Sequence, residues 1–237
     1  MRQLLGSVMC GLALTLPAVA HADDHPPIIV ELFTSQGCSS CPPADEILAE
    51  LAQSDDVIPL ALHVDYWDYI GWKDQFAQPQ FTARQKAYAR VAGQRSVYTP
   101  QMIVDGQDHV VGTHITDVVR LLRAHAERPR TLVLNVARQG NDVQIDLRPM
   151  GPVAGAMAVQ LVRYRPDAVV DISRGENAGK RVQYVNIVSD WTLLAEWNGR
   201  APLAITHPVS GDLPAAVIVQ TITPKGPRQI EAAALLP

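Results

Sequence analysis

Residues 26–51 read PPIIVELFTSQGCSSCPPADEILAEL. The first part, Pro26 to Ser35, is apolar and β-branched, as a buried strand is. The last part, Ala44 to Leu51, places Ile47, Leu48 and Leu51 on one face of a helix. Between them stand Cys38, Cys41 and then Pro42-Pro43. Neither proline can donate a helix hydrogen bond. The regular helix is therefore expected to begin near Pro42, with the cysteines in the turn before it. Two cysteines at this spacing serve a disulfide staple, a metal clip or a redox centre.

The rest of the chain narrows these three. It has 237 residues, enough for one or two domains, and its 47% hydrophobic and 19% charged content is ordinary for a globular protein. A net charge of -4 offers no electrostatic case for nucleic acid. Arg2 precedes an apolar stretch from Leu4 to Leu16, then Pro17 and the small-residue patterns ending at Ala20 and Ala22. This is the pattern of a cleavable secretory signal over residues 1–22. A retained membrane anchor is the alternative, but the apolar run falls short of the ~20 residues a span needs. Cys10 lies inside this segment, so the mature chain keeps Cys38 and Cys41 alone, in an oxidising compartment and without a membrane span. A staple gains most by closing a long loop, and this pair closes almost nothing.

Further along, DVIPLALHV reads as a second strand ending near Val64, and Pro79 to Ala92 has helical spacing and good helix formers. TPQMIVDGQDHVVG reads as two short strands across a turn at Asp105-Gly106. A third helix follows, with Thr113 or Thr116 as cap and Val118, Val119, Leu121 and Leu122 on its apolar side. A right-handed crossover makes the first two strands parallel, and the hairpin adds an antiparallel edge. The cysteines then lie at the carboxyl end of the first strand, where open α/β sheets place their active sites. From Thr131 on, short β-branched runs alternate with Gly, Pro and Asn-Asp turns, the pattern of an antiparallel β-sandwich.

This order and the position of the cysteines resemble the thioredoxin fold, in which a cis-proline precedes the third strand and faces the Cys pair. Thr99-Pro100 stands at the matching point, with an ordinary trans proline as the alternative. The segments VELFTSQGCSSCPPAD, LHVDYWDYIGWKD, VYTPQMIVDG and RGENAGKRVQYVNIV together resemble DUF1223, a secreted thioredoxin-like family of unknown function. The resemblance implies an α/β thioredoxin-like domain over residues 26–128, an all-β, sandwich-like region over 131–237, and a redox centre. The chain departs from ordinary thioredoxins in Gly37, where they carry Trp, in Ser39-Ser40 and in Pro42-Pro43.

A Cys at a helix N-terminus faces unpaired N–H groups and the positive end of the helix dipole, which stabilise its thiolate. Cys38 is expected to attack and Cys41, one turn along and more buried, to resolve the mixed disulfide. Glu31 interrupts an apolar strand, where an acid costs desolvation energy unless it has a task or a partner. It either moves protons for the resolving Cys, as the resemblance implies, or is a partnered buried acid. The aromatics of HVDYWDYIGW, at the carboxyl end of the second strand, either line a binding surface or pack beneath their own loop. The polar loop Arg174–Lys180 is either solvated or a docking surface.

Three functions are thus in contention. The chain is expected to be an exported thiol-disulfide oxidoreductase, passing a disulfide between Cys38–Cys41 and exported proteins or a redox partner, with no cofactor besides that disulfide. The alternatives are a copper- or metal-binding protein that adds His63 and Asp65 to the thiols, and a non-catalytic interaction module.

Overall fold

The computed structural model describes residues 26–153 and 155–237, so the signal expected over residues 1–22 lies outside the described residues. The strand before the cysteines is β1 (Ile28–Thr34), and all seven residues are buried. Then come α1 (Pro42–Leu51), with both prolines in its first turn, and β2 (Val57–His63), also buried throughout. The first half ends with α2 (Pro79–Val91), β3 (Gln101–Val104), β4 (Asp108–Val111) and α3 (Ile115–Ala126). β2 runs parallel to β1, while β3 pairs antiparallel with β1 and then with β4. Asp105 and Gly106 make the hairpin turn with φ of 52° and 70°, the left-handed pair such a turn needs. Neither Thr113 nor Thr116 caps α3; His114 holds that position without a side-chain bond.

The second half comprises β5 (Leu132–Gln139), β6 (Asp142–Pro149), β7 (Ala156–Asp171), β8 (Arg181–Trp197), β9 (Leu203–Pro208), β10 (Ala215–Thr223) and β11 (Gly226–Leu235). It does not form a separate all-β region. The expected α/β thioredoxin-like domain followed by a sandwich-like one is overturned by the sheet order. One mixed eight-stranded sheet runs β11-β10-β7-β8-β2-β1-β3-β4, and only β5, β6 and β9 form a sheet of their own. The join is a parallel bridge between Ala61 of β2 and Ile187 of β8.

The reason lies in burial. Met157–Val162 of β7 and Ala215–Gln220 of β10 are buried at every position, which requires cover on both faces. β2 is likewise buried throughout, so it needs a neighbour on each side, and β8 is its outer one. A single core on one face of the sheet accordingly mixes Ile29, Phe33 and Leu60 from the first half with Val162, Val188 and Ile218 from the second, under Phe81 and Tyr88 of α2. On the other face, Val30, Leu32 and Met102 pack with Leu48 of α1 and Val118 of α3. Further along that sheet, Val143, Ile145 and Leu147 of the small sheet cover Val159, Val217 and Val219.

β7 and β8 outrun their neighbours. β10 pairs with β7 only as far as Arg163, yet the β7–β8 pairing continues to Asp171 and Arg181. This two-stranded arm has its own core of Val170, Ile172, Val182, Tyr184 and Ile187, set against Trp72 and Phe76. Its tip is the Arg174–Lys180 loop, and it reaches the cysteine turn.

Candidate functional site

Cys38 and Cys41 are joined in a disulfide. Ser35 to Cys41 is a succession of tight turns: the Cys38 amide donates to the Ser35 carbonyl at 3.1 Å, and the Cys41 amide to the Cys38 carbonyl at 3.2 Å. Cys41 is the N-cap of α1 and is fully buried; Cys38 is 3% exposed, and Ser39 and Ser40 between the two are exposed. The helix start differs from the expected one in its donors. Pro42 and Pro43 have no N–H, and the Ala44 and Asp45 amides both donate to the Cys41 carbonyl. The first turn of α1 therefore leaves no free backbone donor for a thiolate. The Ser40 hydroxyl lies 3.5 Å from Cys38 Sγ.

Asp45 lies four residues beyond Cys41 on the same side of α1. It is 3% exposed. Thr34 Oγ1 donates to its Oδ1 at 2.8 Å, while Oδ2 has no partner. Burial pushes its carboxyl up to about 7 against the opposing pull of His63 and the Thr34 hydrogen bond. His63, the last residue of β2, is fully buried with its Nδ1 2.7 Å from Asp74 Oδ2 and its Nε2 unpartnered. Burial opposes charge on Asp74 too, but His63 and the amides of Gln36 and Phe76 outweigh it and hold this carboxyl below its ordinary value. Tyr184 from the arm and Phe76 close the pocket with their ring edges against His63. Among the described residues, four buried side-chain polar atoms lack a partner, and three of them belong to Gln36, Asp45 and His63 around the cysteine turn. Buried polar groups are normally satisfied, so this clustering marks the site as unlike the rest of the interior.

Three other segments close on the turn. Trp67 covers Gly37, where a Cβ would come within 3.2 Å of Trp67 Cβ and its carbonyl oxygen, so a larger residue would have to push Trp67 aside. Trp67 Nε1 donates to Thr99 Oγ1 at 2.8 Å. The Thr99–Pro100 bond is cis, and Pro100 is buried against Gly112, where a Cβ would come within 3.0 Å of Ala44 Cβ and 3.2 Å of Pro100 Cβ. Of the aromatic loop, Trp67 and Trp72 are tied by hydrogen bonds to Thr99 and Gln36, while Tyr69 is 80% exposed and stacked on Trp67. Asn177 from the arm tip donates to the Gln36 and Cys38 carbonyls, so the Arg174–Lys180 loop docks on the chain's own cysteine turn.

Glu31 is placed elsewhere. Successive strand residues point to opposite faces. Thr34 points with Asp45 toward α1; Glu31 points toward α2, where Arg84 grips it through two hydrogen bonds and the Tyr88 hydroxyl donates a third. Of the two roles open to it, the geometry matches the partnered buried acid. Asp65 accepts from the Thr82 hydroxyl, and His63 Nδ1 faces Asp74 Oδ2. Among the described residues, no group of three His, Cys, Asp or Glu is placed to hold a metal ion.

Sequence reasoning missed Asp45, Asp74 and Asn177. A signal for Asp45 existed: Cys41, Asp45 and Leu48 follow the i, i+4, i+7 line of a buried helix face, and an acid there is costly. No spacing links His63 to Asp74 or Cys38 to Asn177.

Residues 29–220 match the family model described as a protein of unknown function, DUF1223, and the chain belongs to that family. A crystal structure of a protein from Agrobacterium tumefaciens is 35% identical, with a TM-score of 0.78, covering 91% of this chain and 96% of that one. HBP35 of Porphyromonas gingivalis shares the fold at 13% identity and a TM-score of 0.55, over 89% of this chain and 74% of that one. No curated protein matches. No helix among the described residues is long and apolar enough to cross a membrane.

Proposed function

We propose that this member of the DUF1223 family is a thiol-disulfide oxidoreductase that exchanges a disulfide with another protein through Cys38 and Cys41. The observation that carries the reading is the setting of the bridge. It closes only Ser39 and Ser40, and the residue of its inner sulfur heads a helix whose next turn holds a buried acid. So short a loop has little chain entropy to remove, which leaves stapling without a rationale.

In the reducing direction, the Cys38 thiolate attacks one sulfur of the partner's disulfide. A bond forms between Cys38 and the partner, the partner's S–S bond breaks, and its second sulfur leaves and takes up a proton. Cys41 then loses its proton and attacks Cys38 Sγ. The Cys38–Cys41 bond forms, and the first partner sulfur leaves as a thiol. Two electrons pass to the partner; the oxidising direction is the reverse. Cys41 has no access to solvent, so its proton needs a local acceptor, and Asp45 is that acceptor. A carboxyl held at about 7 exchanges a proton readily near neutral pH. The signal-like residues 1–22 point to an exported, oxidising compartment, and thus to exported proteins or a redox partner there.

Cys41→Ser tests the reading. It leaves the first attack intact and blocks resolution, so non-reducing gels of the native compartment are expected to show covalent, reductant-sensitive complexes for Cys41→Ser and none for Cys38→Ser. If neither variant forms complexes and both lose a metal that the parent carries, the pair is a metal site.

A further inference from the structure

The arm formed by β7 and β8 brings one residue to the cysteine turn from more than a hundred positions away. Asn177 is 1% exposed, although its loop neighbours Glu176, Ala178 and Gly179 are more open to solvent. Its Nδ2 donates to the Gln36 carbonyl at 2.9 Å and to the Cys38 carbonyl at 2.8 Å, and its Oδ1 accepts from Lys180 Nζ at 2.8 Å. Two carbonyls demand a donor and an ammonium demands an acceptor, so only one orientation of the amide satisfies all three. The loop is seated independently of Asn177. Gly175, at a φ of 74°, rests on the Gly71–Trp72 segment, and a Cβ there would come within 3.1 Å of Trp72 Cβ. Trp72 in turn donates to the Gln36 side chain. The turn that holds both sulfurs is thus fixed from outside, while its own helix start contributes no spare amide.

We propose that Asn177 is a positioning residue for the Cys38–Cys41 pair: by gripping the Gln36 and Cys38 carbonyls it keeps the two sulfurs within bonding reach and favours closure of the disulfide. The physical basis is effective concentration. A dithiol whose backbone is already held in the closed geometry loses less freedom when the bond forms. The proposal rests on reading the pair as a reversible redox centre.

The test is the equilibrium of the purified protein with glutathione. Two glutathione thiols give up two electrons and two protons, the Cys38–Cys41 bond opens to two thiols, and one glutathione disulfide forms. Asn177→Ala is expected to raise the constant for reduction about tenfold, which is about 30 mV for a two-electron couple. Lys180→Met removes only the far partner of the amide and is expected to raise it about two- to threefold. Circular dichroism checks that each variant is folded, and a structural role alone does not move this constant. If the folded Asn177→Ala protein equilibrates as the parent does, the proposal is wrong. Should Asn177→Ala not fold, Lys180→Met decides in its place, and an unshifted constant there overturns the proposal. Glutathione needs no protein partner, so a shift here without trapping by Cys41→Ser sinks the partner reading alone, and trapping without a shift sinks only the role of Asn177.

Discussion

Two clusters of buried charge flank β1, one on each face, and they are finished differently. Toward α2, Glu31 takes two hydrogen bonds from Arg84 and one from Tyr88, and Arg84 also reaches Gln220 and lies 3.8 Å over the Trp191 ring. No side-chain atom of Glu31 or Arg84 is among the buried atoms left without a partner. Toward α1, Asp45 and His63 each keep one buried atom unpaired, and Gln36 beside them keeps a third. Both clusters contain a buried acid, so burial of charge does not tell them apart. What differs is completeness. A closed network locks a fold, whereas a buried acid with a free oxygen is available to take a proton.

The contrast breaks most readily at Arg84. Arg84→Met leaves Glu31 buried and uncompensated, which is expected to lower stability by about 3–5 kcal/mol in denaturant unfolding. The glutathione equilibrium of Cys38–Cys41 should stay as it is in the parent. A shift in that equilibrium would join the two clusters into one system.

Asp45→Asn tests the open cluster. The acid's carboxyl is raised from 3.8 to about 7 in the folded chain, so the folded state binds this proton more tightly than the unfolded one. Its contribution is fully present below the unfolded value and is lost as pH rises through about 7. Relative to the parent, Asp45→Asn is therefore expected to gain stability between pH 4 and pH 8, by an amount on the order of 4 kcal/mol at most. It should also slow resolution of a mixed disulfide about a hundredfold, measured by stopped-flow near neutral pH. A parent-like pH profile would remove the acid from the mechanism.

The smallest effect is expected at the surface. Tyr69, 80% exposed and stacked on Trp67, contributes little to the fold, so Tyr69→Ser should change stability by no more than about 0.5 kcal/mol. Its exchange with a protein disulfide should still fall several-fold, while exchange with a small disulfide is unchanged. Equal losses with both would place Tyr69 outside partner recognition.

The elements around the cysteines were legible because each is written within a short window. The apolar run of β1, the helical face of α1 and the Asp105-Gly106 turn need only local periodicity and turn chemistry. The burial of Glu31 and its need for a partner followed from a single acid in an apolar strand. Its facing was not legible, since the partner Arg84 stands 53 positions away. The second half misled for a related reason. Gln160 and Gln220 look like the polar beats of alternating, half-solvated strands, yet both are buried, and they pair with each other across the sheet.

The local chain thus specifies a strand that ends in a Cys-x-x-Cys turn, a helix opened by two prolines, and a Thr-Pro step ahead of a short hairpin. Tertiary structure alone specifies that the two halves share one sheet through Ala61 and Ile187, that His63 and Asp74 are the neighbours of Asp45, and that Asn177 holds the Cys38 carbonyl from 139 positions away. The physical reason is range. Periodicity reports which side of a strand or helix is apolar, but several neighbours satisfy the same apolar side equally well. Which one is chosen depends on covering every buried face at once, a condition met only when the whole chain is packed.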